Sequence, residues 1–162
     1  MLKLILSSAI ITVSFLTAFD IVKQESKKVR QIGELILVVR QMISLITFSS
    51  MDVYQLCETC FSSRKECDYS HFLSIRRDFP SEWARACELT FADIDKRVLD
   101  SLSMVSNFLG AYDSESQISG LSAVLDEITA VHAELSSKLE KNRRLYLSLG
   151  AFAGLMLCLI VI

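Results

Sequence analysis

Three thiols and an imidazole stand in an order that metal sites use: Cys57 and Cys60 form a C-x-x-C, Cys67 follows, and His71 lies four residues beyond it. Zinc takes such ligands in a tetrahedral array carried on tight knuckles or loops. The apolar spacing around Cys57 and Cys60 instead predicts a helix, and cysteine is among the most buried residue types when it has no ligand at all. Packed or incidental thiols are therefore the first reading, with a structural zinc site and a thiol redox pair as rivals. In a reducing cytoplasm no disulfide is expected. No cofactor is assigned.

Other chemistry-bearing residues are read against equally plain alternatives. His132 falls on a helical apolar seam, where a base would need a serine or cysteine brought to it by folding; a polar group seated at the edge of a bundle, setting helix register, is the simpler reading. Asp93 and Asp95 read as first-turn residues favoured by a helix dipole, and Asp100 as solvated. The chain holds no Gly-rich phosphate loop, no H-E-x-x-H and no G-x-S-x-G. Arg76, Arg77, Arg85, Arg97, Arg143 and Arg144 ordinarily make a solvated face, yet on a body tethered at both ends such charges can steer a partner into place. Arg76 and Arg77 are the candidate docking pair.

These residues must be carried by helices. Ile118, Leu121, Leu125, Ile128, Leu135 and Leu139 step by threes and fours, with His132 filling the gap, which predicts one long helix packed lengthwise. Lys141, Arg143 and Arg144 end its polar part, and residues 145–162 carry no charge. At helical rise that tail covers about 27 Å, close to the thickness of a bilayer core. Tyr146 sits where an interfacial aromatic belongs. Gly150 and Gly154 form a small-xxx-small pair suited to close helix approach, either to Ser14 and Ala18 of the same chain or between chains of a homo-oligomer.

At the other end, residues 4–19 are uncharged between Lys3 and Asp20. A signal peptide is the rival to an anchor, but Leu16 stands two residues before Ala18, so no clean small-x-small cleavage site follows. Lys23, Lys27, Lys28 and Arg30 after the first span, and Lys141, Arg143 and Arg144 before the second, place the middle of the chain in the cytoplasm by the positive-inside rule. The expected domains are an anchor at 1–22, a cytoplasmic bundle at 23–144 and a C-terminal transmembrane helix at 145–162.

Within the bundle, Ile32, Leu35, Ile36, Val39, Ile43 and Ile46 trace a stripe that Leu37, Val38 and Leu45 widen, while Glu34, Arg40 and Gln41 argue against a further span. Asp52 is a candidate N-cap for a helix ending near Phe61, and 62–68 reads as a turn. Helices are expected over 69–78, from Pro80-Ser81 through Trp83, Ala84 and Ala86, and over 91–108 with Ile94, Val98, Leu99, Leu102 and Val105 inward. Leu109-Gly110 should end the last of these, and Asp113 or Ser114 should cap the long helix. No hairpin turn and no sustained period-two alternation points to strands. The expected fold class is all-α: a helical bundle of about six helices between two transmembrane helices.

The chain of 162 residues is 51% hydrophobic because both ends are apolar, and its formal charge of -2, without a basic-aromatic patch, points away from nucleic acid. Three function classes fit: a component of an export or channel apparatus, a coiled-coil membrane tether similar to a SNARE, and a zinc- or thiol-sensing membrane protein. The tether is disfavoured by an uncleaved N-terminal anchor and by a seam without a central-layer glutamine or arginine.

Leu109-Gly110, Asp113 and Gln117 ahead of a long charged helix, then Tyr146, Leu149-Gly150 and Gly154 in an apolar run, resemble in order and spacing the end of the stage III sporulation protein AB family. Trp83 with Ala86 resembles that family's tryptophan segment, and Lys27, Lys28 and Arg30 fall where it carries basic residues. Where the family shows an acidic pair in its first cytoplasmic helix, this chain has Arg40-Gln41-Met42-Ile43. The resemblance implies a bundle similar to the cytoplasmic domains of the type II secretion F platform protein. It also implies membership of the channel complex between mother cell and forespore, beside a secretion-type ATPase, stage III sporulation protein AA; with no catalytic motif in the chain, no enzymatic activity is expected.

Overall fold

The structure is a computed structural model. It describes the backbone of residues 2–49, 51–110 and 113–161, and the side chains of 12, 13, 16–49, 51–110, 113–146, 148–150, 152, 153 and 156. Six helices follow one another: α1 Leu2–Phe48, α2 Val53–Phe61, α3 Ser70–Leu73, α4 Phe79–Thr90, α5 Lys96–Phe108 and α6 Ser114–Val161. No strand occurs among the described residues. The all-α expectation holds; the six helices are the total among the described residues, because α1 and α6 each run unbroken between the bundle and an apolar end.

Two of these helices are unusually long, 47 residues for α1 and 48 for α6. Neither contains proline, the one residue that costs a helix interior about 3 kcal/mol; the single proline, Pro80, lies in the first turn of α4, where its missing N–H is not needed. The chain forms two compact units: Met1–Val29 with Glu134–Ile162, and Arg30–Ala133. In the first, Ala18 and Val22, one turn apart, are buried.

In the second unit, α1 contributes Ile32, Leu35, Val38, Val39 and Met42, none more than 1% exposed. Burying each such side chain fully stabilises by about 1.5–3 kcal/mol. Leu37, expected to widen the buried stripe, is instead 49% exposed: it points away from the face centred on Leu35 and Val39. On α6 the buried line is Leu121, Val124, Ile128 and Val131, while Ile118, Leu125 and His132 are only half-buried. The expected seam and this one share Leu121 and Ile128; the two valines make the apolar stripe wide enough that packing partners, not spacing, choose its centre.

An aromatic cluster joins the shorter helices. Phe61 stacks on Phe72 with ring centroids 4.5 Å apart, and Phe72 meets Trp83 edge-on at 5.0 Å. The Trp83 indole N–H donates to the Leu102 carbonyl on α5 at 2.7 Å, so its one polar atom is satisfied inside the core. Two expected helices are shorter than their spacing predicts. Residues 69–78 form only the single turn of α3, because the backbone N–H groups of Arg76 and Arg77 turn aside to the Glu82 carboxylate. The 91–108 helix begins at Lys96, with Asp95 outside it as N-cap, accepting from the Arg97 N–H at 3.0 Å. Gly110 ends α5 with φ +87°, a conformation glycine adopts without strain.

Among the described residues one helical stretch, Leu16–Phe48 near the N-terminus, is long and apolar enough to cross a membrane, with a mean hydropathy of 1.4. Its C-terminal part is the α1 face just described, so there its apolar side chains pack on the bundle.

Helix α6 passes α5 where Gly120 faces Phe108: a Cβ at position 120 would sit 2.4 Å from the Phe108 ring. Gly120→Ala should therefore destabilise the full chain, by roughly 1–3 kcal/mol as overpacking usually does. Phe108→Ala made alongside it should recover part of that loss. Thermal denaturation of the single and double variants checks both; equal melting of Gly120→Ala and the parent would mean the helices do not meet there.

Candidate functional site

The candidate metal residues are dispersed by the fold. Cys57 and Cys60 sit one turn apart on α2 and both are buried in the bundle; Cys67 is half-buried in the turn after it, and His71 is exposed on α3. Among the described residues no group of three or more His, Cys, Asp or Glu side chains is placed to hold a metal ion. Burial raises the Cys57 thiol to about 12, helped by the neighbouring Cys60 and Asp52, and the Cys60 thiol to about 11, where Arg64 pulls the other way. Cys87 on α4, likewise buried, is pushed up to about 12. Thiols so protonated are poor nucleophiles and poor metal ligands at neutral pH.

Two carboxylates organise the surface around them. Glu34 on α1 accepts from the Lys65 and Glu66 N–H groups at 3.3 and 3.2 Å and from the Tyr69 hydroxyl at 2.7 Å. Burial first, and that bond second, hold the Tyr69 hydroxyl protonated far above its usual range. Arg64 completes the turn, donating to the Gln41 side-chain oxygen at 2.8 Å and to the Cys60 carbonyl at 3.3 Å. Thus the segment after α2 is laced to α1 by charge-assisted bonds, each stronger than a neutral one.

Glu82 on α4 does the same for the second turn. One of its oxygens accepts from the Arg76 N–H at 2.7 Å and the Arg77 N–H at 3.3 Å. From the other side the Tyr54 hydroxyl donates to the Arg77 carbonyl at 2.6 Å, and the Arg76 guanidinium reaches back to the Ile75 carbonyl at 3.0 Å. Both arginine side chains are exposed on a backbone held from two helices. Beside them lies a shallow pocket of about 280 Å³, lined by His71, Ser74, Ile75, Glu82, Arg85, Ala86 and Leu89. The cations Arg76, Arg77 and Arg85 thus share the neighbourhood of α3 and the first turns of α4.

The remaining motif residues fall in the core, at a helix cap and along α6. Trp83 is the core indole described above, Leu109 is buried, and Asp113 caps α6 by accepting from the Ser116 N–H at 2.6 Å and from its hydroxyl. Those bonds hold the Asp113 carboxyl below its usual range. The Gln117 N–H donates to the Asp113 carbonyl at 3.4 Å. Leu149 is exposed and Gly150 half-exposed on α6, while the surroundings of Gly154 and Ser14 lie outside the described residues. Asp93 and Asp100 are exposed, and Arg97 pairs with Asp95 at 3.1 Å. His132 meets α1, where a Cβ on Gly33 would stand 3.3 Å from its Nε2.

Sequence spacing did not single out Glu34 and Glu82 as anchors, nor Gly33 and Gly120 as sites of close approach. A glycine within a strongly helical pattern is the one signal that could have found the last two, since it costs roughly 1 kcal/mol against alanine and so asks for a packing reason.

A family model, stage III sporulation protein AB, matches residues 3–162. No curated protein and no solved structure matches the chain.

Because Cys57, Cys60 and Cys87 are held neutral by burial, above their ordinary 9.0, the stability they contribute is whole below pH 9 and is lost as pH rises through about 11 for Cys60 and about 12 for the other two. Denaturation midpoints should fall over that window, and less steeply once the three are changed to alanine. At neutral pH iodoacetamide should modify Cys67 before any of the three. Rapid native labelling of Cys57 or Cys60 would show that α2 does not bury them.

Proposed function

Since the chain belongs to the stage III sporulation protein AB family, we propose that it is a non-enzymatic membrane component of the sporulation channel complex, a platform that docks the secretion-type ATPase stage III sporulation protein AA. In this reading it crosses the membrane twice, through residues 4–19 and again through 145–162, and holds the bundle on the cytoplasmic, mother-cell side. The long apolar N-terminal helix and the basic residues flanking both apolar ends support that orientation.

The observation that carries the platform reading is the Arg76-Arg77 turn. Glu82 and Tyr54 fix its backbone, so two exposed arginine side chains, Arg76 with one N–H turned back to the Ile75 carbonyl, are offered without the loss of loop freedom that binding usually exacts. Arginine presented in this way pairs bidentately with carboxylates and steers a partner electrostatically. The interior thiols and the indole, by contrast, are spent on packing.

Crosslinking and pull-down from sporulating membranes should recover the ATPase with other channel proteins. Arg76→Glu with Arg77→Glu should cut that recovery about tenfold or more, with a steeper response to salt in the parent than in the variant. The turn's bonds run through its backbone, so helicity should not change. Undiminished, salt-indifferent recovery would refute this docking face, and recovery of a vesicle-fusion set would refute the platform.

A further inference from the structure

A second charged region lies in the unit made by Met1–Val29 and Glu134–Ile162. On α1, Lys23 and Lys27 are exposed on one side, a turn apart; on α6, Lys141, Arg143 and Arg144 are exposed. These five cations take part in no ion pair among the described residues, whereas the neighbouring Lys28 is held by Glu25 at 3.0 Å and Lys138 by Glu134 at 2.5 Å. Of the acidic residues in the same two stretches, that leaves Asp20 and Glu140 to oppose them. A groove of about 580 Å³ runs along α6 here, lined by Ser137, Glu140, Lys141, Arg143 and Arg144.

Each set stands close to the end of its own apolar run. Counting at 1.5 Å per residue, Lys23 lies about 6 Å beyond the last residue of the first apolar run, and Lys141 about 6 Å before the start of the second. Tyr146, exposed, stands half a turn into the second run. In the two-span reading, cations within about three turns of the ends of both apolar runs, with the exposed Tyr146 beside those of α6, lie near the plane of the lipid phosphates.

We propose that this collar is a binding site for anionic phospholipid headgroups, with Lys141, Arg143 and Arg144 holding the phosphate along the α6 groove and the exposed Lys23 and Lys27 of α1 adding positive charge at the same end of the unit. The proposal rests on the two-span reading above. Juxtamembrane cations contribute about 1 kcal/mol each near an anionic surface, which is about a fivefold preference per residue. Phosphate chemistry is shared by lipid and by free phosphate, but only a lipid is delivered at this level by the membrane itself.

The test uses the full chain in phosphatidylcholine vesicles carrying spin-labelled phosphatidylglycerol or spin-labelled phosphatidylcholine. The anionic label should be immobilised at least about fivefold in preference to the neutral one, and Lys141→Gln, Arg143→Gln and Arg144→Gln together should abolish the preference. Lys138→Gln, whose ammonium is already committed to Glu134, should leave it intact. Equal immobilisation of both labels overturns the site. So does full displacement by inorganic phosphate at constant ionic strength, which would assign it to the free anion. Alkaline extraction of the same vesicles separates the two readings: release of the chain defeats the two-span reading and this site with it, while retention without lipid preference defeats the site alone.

Discussion

The face of α1 from Ile32 to Met42 is the contact on which the bundle depends. Five side chains there are almost wholly removed from water, and they do so on a single continuous helix, so the other elements of that unit need only bring complementary apolar surface to it. Ordering a residue costs roughly 1–2 kcal/mol in backbone entropy, a cost that burial of these five side chains helps to offset. The aromatic cluster of Phe61, Phe72 and Trp83 then ties α2, α3 and α4 together, short helices with too few turns to be stable alone.

That same face shows why hydropathy and burial must be weighed together. The stretch Leu16–Phe48 is long and apolar enough to cross a membrane, but its second half spends those side chains on protein. What separates the two uses is the charge pattern. Glu34, Arg40 and Gln41 interrupt the run at helical spacing, and Glu34 and Gln41 are committed to bonds with residues 64–69. In lipid those groups would have no such partners.

Helix identity was largely legible in the sequence because it rests on local rules: Asp52 and Asp113 as caps, Pro80 in a first turn, Gly110 past a last one. Facing was less legible. Val124 and Val131 lie inside where Leu125 and His132 were expected, and Met42 is fully buried beside an Ile43 that is not. Local spacing gives the width of an apolar stripe, whereas its centre is decided by what crosses it, such as Phe108 over Gly120 or His132 against Gly33. The length of α3 was out of reach for a similar reason. Residues 74–78 have ordinary helical composition, and only Glu82, brought alongside by the fold, draws the Arg76 and Arg77 N–H groups out of a helical ladder.

Glu34 and Glu82 therefore carry more meaning than any of the residues whose types suggested chemistry. Each is a carboxylate on a helix that accepts two backbone N–H groups from a turn, the arrangement by which an anion satisfies donors that would otherwise need water. The consequence for function lies in rigidity. The buried thiols are closed off from solvent and protonated, so they serve packing. A fitting for another protein needs its contact residues held in place before the partner arrives, because each side chain or loop that must be ordered on binding subtracts about 0.5–1.5 kcal/mol from affinity. A turn braced by Glu82 on one side and Tyr54 on the other, with two arginines outward, meets that need, and it does so on a body whose interior is otherwise given over to packing.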